Sequence, residues 1–346
     1  MPRGTIETPV FMPVGTQGSV KAMKPDDLER VGAKIILANT YHLHLRPGDS
    51  IISQMGGLHK FMAWDGPILT DSGGYQAFSL AKLANITDEG LRFASHLDGA
   101  RHMLTPESAV GIQENLNSDI MMCLDECVAY PSPRDYVEIA AKRTSLWARR
   151  CLEARRNTNA LFGIVQGGVY PDLRKKSALE IAAMPFDGIA IGGLSVGEGH
   201  AMMMDTLDAT LPYVSQDRPR YLMGVGTPVD IIEAVARGID MFDCVLPTRN
   251  ARNGMLFTSR GKVSLKQARY KEDSRSPDEN CSCYTCRNFS LSYLRHLFIS
   301  KEILGSILNT LHNLHFYLEL MSDIRHSIEG HYFEEYRKQL KENYND

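Results

Sequence analysis

A (β/α)8 barrel of the TIM type is the fold class that this sequence predicts, and three observations predict it. Eight short apolar runs recur along the 346 residues. Most follow one another at about 25–40 residues, the length of a strand with its helix. The runs are apolar on both faces, as strands of a fully covered parallel sheet are, and do not alternate. Eight βα units are what a closed barrel of this kind holds.

Runs 10–14 and 35–39 open the series, and run 67–71 ends on Asp71. The interval before run 120–125 is too long for one unit. Within it, His96-Leu97-Asp98-Gly99-Ala100-Arg101 carries the Asp-Gly pair of a tight hairpin, so an excursion from the barrel is expected there. Thr105-Pro106-Glu107 then starts a helix, with a capping residue before a proline at the first helical position. Runs 161–166, 188–192 and 221–225 follow, and Thr227-Pro228 repeats the same helix start. Run 241–245 is the last. A doubly wound open sheet is the competing arrangement, but no Gly-x-Gly-x-x-Gly turn follows an early run to support it.

Composition narrows the classes further. Hydrophobic residues make 43% and charged residues 23%, the balance of an ordinary globular chain. No apolar run is long enough to span a bilayer, and Met1-Pro2-Arg3-Gly4-Thr5 lacks the apolar core of a secretory signal, so a cytoplasmic protein is expected. In that compartment the seven cysteines stay reduced. A net charge of −3 argues against indiscriminate nucleic-acid binding. Any such surface must be local, and the stretch 248–271 offers one: it has no Asp or Glu and seven bases, Arg249, Arg252, Arg260, Lys262, Lys266, Arg269 and Lys271.

A barrel of this type keeps its active site at the C-terminal strand ends. Those ends carry Asp71, Asp125, Gln166, Gly192-Gly193, Met223-Gly224 and Asp243. Any one strand-end acid could simply cap the next helix; three converging on one mouth point to chemistry. Crowded, desolvated carboxylates repel one another, so one is expected to hold its proton near neutral pH and act as an acid.

Cys281, Cys283 and Cys286 place three thiols within six residues, a spacing that wraps one tetrahedral Zn2+. A histidine is the expected fourth ligand, and His296, His312 and His315 are the nearest downstream. Four protein ligands make such a zinc structural. The expected organisation is a barrel over 1–248, a zinc-binding insertion with the basic RNA-facing segment after the eighth strand over 249–295, and C-terminal helices completing the barrel over 296–346.

Together these residues resemble the tRNA-guanine transglycosylase family over nearly the whole chain. The resemblance rests on Asp71-Ser72-Gly73-Gly74-Tyr75-Gln76, Asp125-Glu126-Cys127, the Gly163 to Gly168 run, Gly192-Gly193-Leu194-Ser195-Val196-Gly197-Glu198, Asp243 through Gly254, and the cysteine triplet. It implies a zinc-containing pentosyltransferase that replaces the wobble guanine in the anticodon loop of certain tRNAs, by a ping-pong route through a covalent ribosyl-aspartate. Carried over by motif, Asp243 resembles the nucleophile and Asp71 the acid/base. Asp125, Gln166 and the Gly193 amide resemble the groups that bind the base, with Cys127 and Leu194 beside them and Tyr75 and Met223 sandwiching the ring. Arg249 and Arg252 are similar to the residues that contact flanking phosphates, and the family pattern places the fourth zinc ligand at His312. Val196 stands where eukaryotic, queuine-using members resemble glycine, and Cys127 fits the bacterial pattern, so 7-aminomethyl-7-deazaguanine is the expected incoming base. A homodimer is implied by the resemblance alone. Only nine residues precede Val10, where family members usually carry a short β element. Two other readings compete: a catalytically inert RNA-binding subunit, and a barrel glycosidase or amidohydrolase acting on small molecules.

Overall fold

The computed structural model describes residues 3–80 and 84–344. Eight parallel strands close into a barrel. In chain order the strands of the molecule are β1 (Val10–Gly15), β2 (Ile36–Ala38), β3 (Ile68–Thr70), β4 (Ala84–Thr87), β5 (Gly90–Ala94), β6 (Arg101–Leu104), β7 (Ile120–Met122), β8 (Ala160–Val165), β9 (Gly188–Ile191), β10 (Arg220–Leu222), β11 (Met241–Cys244), β12 (Met255–Thr258) and β13 (Gly261–Ser264). The barrel runs β1-β11-β10-β9-β8-β7-β3-β2. All eight expected runs supply its strands. Closure is made by β1 against β11, with Val10 beside Met241 and Met12 beside Asp243. That register puts Asp243 at the seam where the first and last strands meet.

The strands are buried on both faces, which is why their sequences do not alternate: every residue of β1, β2, β3, β7, β9 and β10 is buried. Neighbours on one strand point to opposite faces, and both faces are covered: Met12 and Phe11 are each fully buried, and Phe11 meets Tyr317 of a surrounding helix. The two expected helix starts are capping boxes. Thr105 accepts from the Ser108 amide and Thr227 from the Asp230 amide, each with proline inside the first turn.

The long interval between β3 and β7 holds an antiparallel sheet in the order β4-β5-β6. The expected hairpin joins β5 to β6, and Asp98 accepts from the Ala100 amide within its turn. β4 was not visible in the sequence. The sheet is anchored on helix Arg134–Ala154: Trp147 donates to the Asp88 carbonyl at 2.8 Å, and Arg143 and Arg150 hold the same turn.

After β11 the chain makes a short helix, Leu246–Arg252, and the hairpin β12–β13. Helix Ile303–Glu329 then returns across the barrel. Its buried Asn313 accepts from the Phe257 amide and donates to the carbonyls of Pro247 and Met255. Tyr317 packs on Phe11 and donates to the Gly226 carbonyl. A second, smaller core of Leu256, Leu265, Tyr270, Leu291, Leu294, Leu297 and Leu308 lies beyond the barrel.

Candidate active site and metal centre

Parallel strands that end together deliver the residues after them to one mouth. Asp71 follows β3 directly, and Asp243 lies within β11. Asp71 is buried, receives Asn39 Nδ2 at 2.6 Å and accepts the Thr40 amide at 2.9 Å. Burial pushes its carboxyl up to about 7, with the charges of Asp243 and Asp125 adding to the rise. Asp125 is likewise buried; Gln166 Nε2 donates to its Oδ2 at 2.7 Å and Ser72 to its Oδ1 at 3.5 Å. Burial lifts it to about 6. The strand-end count leads to the expectation of one crowded acid near neutrality; burial lifts both of these carboxyls toward it, Asp71 the higher.

Asp243 is fixed differently. Tyr221 donates to its Oδ1 at 2.6 Å and the Gly224 amide donates to the same oxygen at 2.7 Å. Burial raises its pKa, while these two donors oppose the rise by favouring the carboxylate. Among the described residues both hydrogen bonds go to Oδ1, which leaves Oδ2 to face whatever enters the mouth.

On the other side lie Gln166 and Gly193. Gln166 is almost fully buried, its amide nitrogen is on Asp125, and its Oε1 is buried with no partner among the described residues. Gly193 has φ +67°, and a Cβ there would run into Gln166 Oε1, so only glycine fits. Leu194 is buried and Cys127 is half-buried beside them, with burial holding the Cys127 thiol protonated at a pKa of about 12. Tyr75 stands at the rim, 49% exposed, and Met223 is half-buried directly after β10. Glu198 accepts the amides of Ser195 and Val196, which pins the loop after β9.

Arg249 is exposed and Arg252 half-buried on helix Leu246–Arg252, close behind Asp243 in the chain. Arg252 donates to the Thr248 carbonyl at 2.8 Å. Burial and then the charge of Arg249 lower its basicity.

Sequence reasoning missed several members of the mouth. Tyr221 reads as one more apolar strand residue; Gly224 stands among the strand-end residues read from the sequence, but nothing there shows that its amide donates to Asp243. Asn39 ended a run and could have been counted as a strand-end polar group. Arg174 gave no signal, because it sits inside the first half of helix Pro171–Ala182.

The cysteine triplet and its histidine form a second cluster, on other elements than the mouth. The ligand atoms of Cys281, Cys283, Cys286 and His312 all lie within 4.8 Å of one another. His312 Nδ1 is 3.7, 3.5 and 3.2 Å from the three sulfurs. Those separations match the edges of a tetrahedron with bonds of about 2.0–2.3 Å, which are roughly 3.5 Å long. His312 is fully buried, and its Nε2 lies 2.8 Å from the Phe257 carbonyl. That contact puts the ring proton on Nε2 and leaves the Nδ1 lone pair for an ion. His315 reaches Cys281 and Ser282 alone, so the structure selects His312. The four residues therefore fit a metal ion.

A closed eight-stranded parallel barrel with three aspartates at its strand ends, followed by a Cys3His cluster that could hold a metal ion, defines a (β/α)8 enzyme with an appended candidate metal site. A family model described as Queuine tRNA-ribosyltransferase matches residues 1–346. Proteins named queuine tRNA-ribosyltransferase are similar along almost the full chain. The one from Solidesulfovibrio magneticus is 57% identical over 341 residues, 98% of this chain and 91% of that protein. The one from Caldanaerobacter subterraneus subsp. tengcongensis is 56% identical over 345 residues, 99% of this chain and 92% of that protein. That from Desulforamulus reducens is 53% identical over 345 residues, covering 99% and 93%. The chain belongs to the queuine tRNA-ribosyltransferase family.

Proposed function

We propose that this pentosyltransferase exchanges the wobble guanine of tRNA anticodons for a 7-deazaguanine base through a covalent ribosyl–Asp243 intermediate. The observation that carries the reading is the different setting of two acids: Tyr221 and the Gly224 amide both donate to Asp243 Oδ1 and favour its carboxylate against the rise that burial causes, while burial lifts Asp71 to about 7. In the first half-reaction Asp243 Oδ2 attacks the ribose anomeric carbon, the bond from that carbon to the purine breaks, and the base leaves with the electron pair. Asp71 gives the departing base its proton.

Charge stays constant through this exchange. Before attack the negative charge is on Asp243 and the proton on Asp71; afterwards Asp243 is a neutral ester and Asp71 carries the charge. Loss of the Asp243 charge removes one cause of the raised Asp71 pKa, so Asp71 is the stronger acid when it must hold a charge. The incoming base then returns a proton to Asp71, attacks the same carbon and frees the Asp243 carboxylate.

Asp125 accepts the N–H groups of the base, Gln166 and the Gly193 amide bind its carbonyl edge, and Tyr75 and Met223 cover its faces. Cys127 and Leu194 line the same pocket. Arg249 and Arg252 hold flanking phosphates, contacts that position without specifying sequence. The relatives' name speaks of queuine; Val196, half-buried at the rim, supports the smaller 7-aminomethyl-7-deazaguanine for this chain. Cys281, Cys283, Cys286 and His312 hold one structural Zn2+, which supplies no chemistry because four protein donors fill it and instead ties β12 to helix Ile303–Glu329. The division at 248 and 295 into barrel, zinc insertion and closing helices, a cytoplasmic location and a homodimer belong to the same reading. Tyr293, Ile299 and Ile303, exposed on helices Leu291–Ile299 and Ile303–Glu329, are the apolar residues that support the dimer.

Incubating the purified chain with tRNA and labelled guanine, then chasing with 7-aminomethyl-7-deazaguanine or queuine, tests this reading. Label enters the tRNA and is displaced by the aminomethyl base in preference to queuine. Absence of guanine incorporation would refute the transglycosylase reading, and preferential displacement by queuine would refute the substrate assignment.

A further inference from the structure

One buried charge in the mouth has no task in this scheme. Arg174 is 0% exposed, and its guanidinium forms no ion pair among the described residues. The carboxylate acting on it is Glu198, whose oxygens are already taken by the Ser195 and Val196 amides. The guanidinium donates instead to four backbone carbonyls: Gly168 at 2.6 Å, Gly192 at 2.8 Å, Val165 at 3.2 Å and Gly193 at 3.4 Å. Burial lowers its pKa to about 10, so it stays charged at neutral pH. A cation in the opening turns of a helix also stands against the helix dipole. Burying an unpaired charge is costly, and the four carbonyls show where the charge is directed: onto the ends of β8 and β9, which carry Gln166 and Gly193.

The contact with Gly192 has a specific consequence. The Gly192 carbonyl and the Gly193 N–H belong to one peptide group. A cation on the carbonyl end draws electron density through the peptide and makes the N–H at the other end a stronger donor. Glycine at both positions lets Gln166 lie against this same peptide: added Cβ atoms would meet Gln166 Nε2 at 2.6 Å and Gln166 Oε1 respectively.

We propose that Arg174 is the positioning residue of the carbonyl-binding end of the base pocket: its guanidinium fixes the Gly192–Gly193 peptide and polarises it, so that the Gly193 N–H meets the carbonyl of the base as a charge-strengthened donor. The inference rests on the transglycosylase reading above. When the bond to the sugar breaks, the electron pair stays on the ring nitrogen of the base and spreads to its carbonyl oxygen until Asp71 delivers the proton. The polarised amide meets that developing charge as an oxyanion hole does, and in the return step it favours release of the incoming base's ring proton to Asp71. Arg174 touches no substrate atom in this account.

The test compares two free bases binding to the purified full chain: 7-deazaguanine, and 2-amino-7-deazapurine, which lacks the carbonyl. Arg174→Met is expected to weaken 7-deazaguanine by about 10–100-fold and the carbonyl-free base by about 3-fold or less, the range for a charge-assisted hydrogen bond. Arg174→Lys keeps the charge without the fork and is expected to fall between, which gives a second reading should the methionine variant not fold. Wild-type protein gives a third: the infrared carbonyl stretch of bound 7-deazaguanine shifts to lower frequency than in water. Equal weakening of both bases by these variants, or an unshifted carbonyl band, overturns the proposal. Guanine exchange into tRNA is measured on the same preparation. If wild-type protein exchanges no guanine, the transglycosylase reading falls and takes this proposal with it; exchange together with equal weakening of both bases overturns this proposal alone.

Discussion

Asp71 works against the fold that holds it. Its carboxyl ionises near 7 in the folded chain and near 4 when unfolded. Between those values the folded state binds the extra proton, so stability falls as pH rises through the window from about 4 to about 7. Asp71→Asn removes that burden. The variant is expected to unfold at higher temperature than wild type at pH 8, by on the order of 1–3 kcal/mol, and to show no such advantage at pH 4.5. Its exchange rate is expected to drop about 10²–10⁴-fold, the size of a lost general acid. Melting curves at the two pH values check the first point; an equal difference at both would disprove the raised pKa. At this scale the sequence revealed the acids because strand ends are where barrels place them. It could not reveal Tyr221 or Gly224, whose roles depend on which way a hydroxyl and an amide point once β10 and β11 pair.

The elements were legible where their pattern is long-range and regular. Eight two-faced apolar runs stood out because both faces of a parallel strand are covered, and the two Thr-Pro starts stood out because cap chemistry is local. β4 was hidden because a four-residue edge strand is too short to show a periodicity, even with Asp88-Glu89-Gly90 turning the chain after it. The metal centre was partly legible. The thiol triplet is local, but the choice of His312 over His315 depends on the face that helix Ile303–Glu329 turns toward the triplet, and the Phe257 carbonyl then fixes its tautomer. Chelation of the metal, or Cys281→Ala, is expected to remove one equivalent of zinc per chain and to expose β12, β13 and the Leu256–Leu308 cluster to hydrogen exchange. The barrel strands are expected to keep their protection. Full zinc content in Cys281→Ala would contradict the ligand set.

Across the whole molecule, a chain of net charge −3 presents a basic stretch immediately beyond Asp243. Binding to tRNA should therefore be strongly salt-dependent yet local in origin. Arg249→Ala is expected to weaken tRNA binding and reduce the slope of log affinity against log salt by about 0.7–0.9, with free-base affinity unchanged. An unchanged slope would place the phosphate contacts elsewhere. The central claim is that the barrel mouth traps the tRNA on Asp243, and the most direct measurement is peptide mass mapping of the complex after denaturation. Wild-type protein mixed with tRNA is expected to yield a stable adduct on the peptide containing Asp243, and Asp243→Asn to yield none. An adduct that persists in that variant, or one mapped to Asp71 or Asp125, would contradict the account.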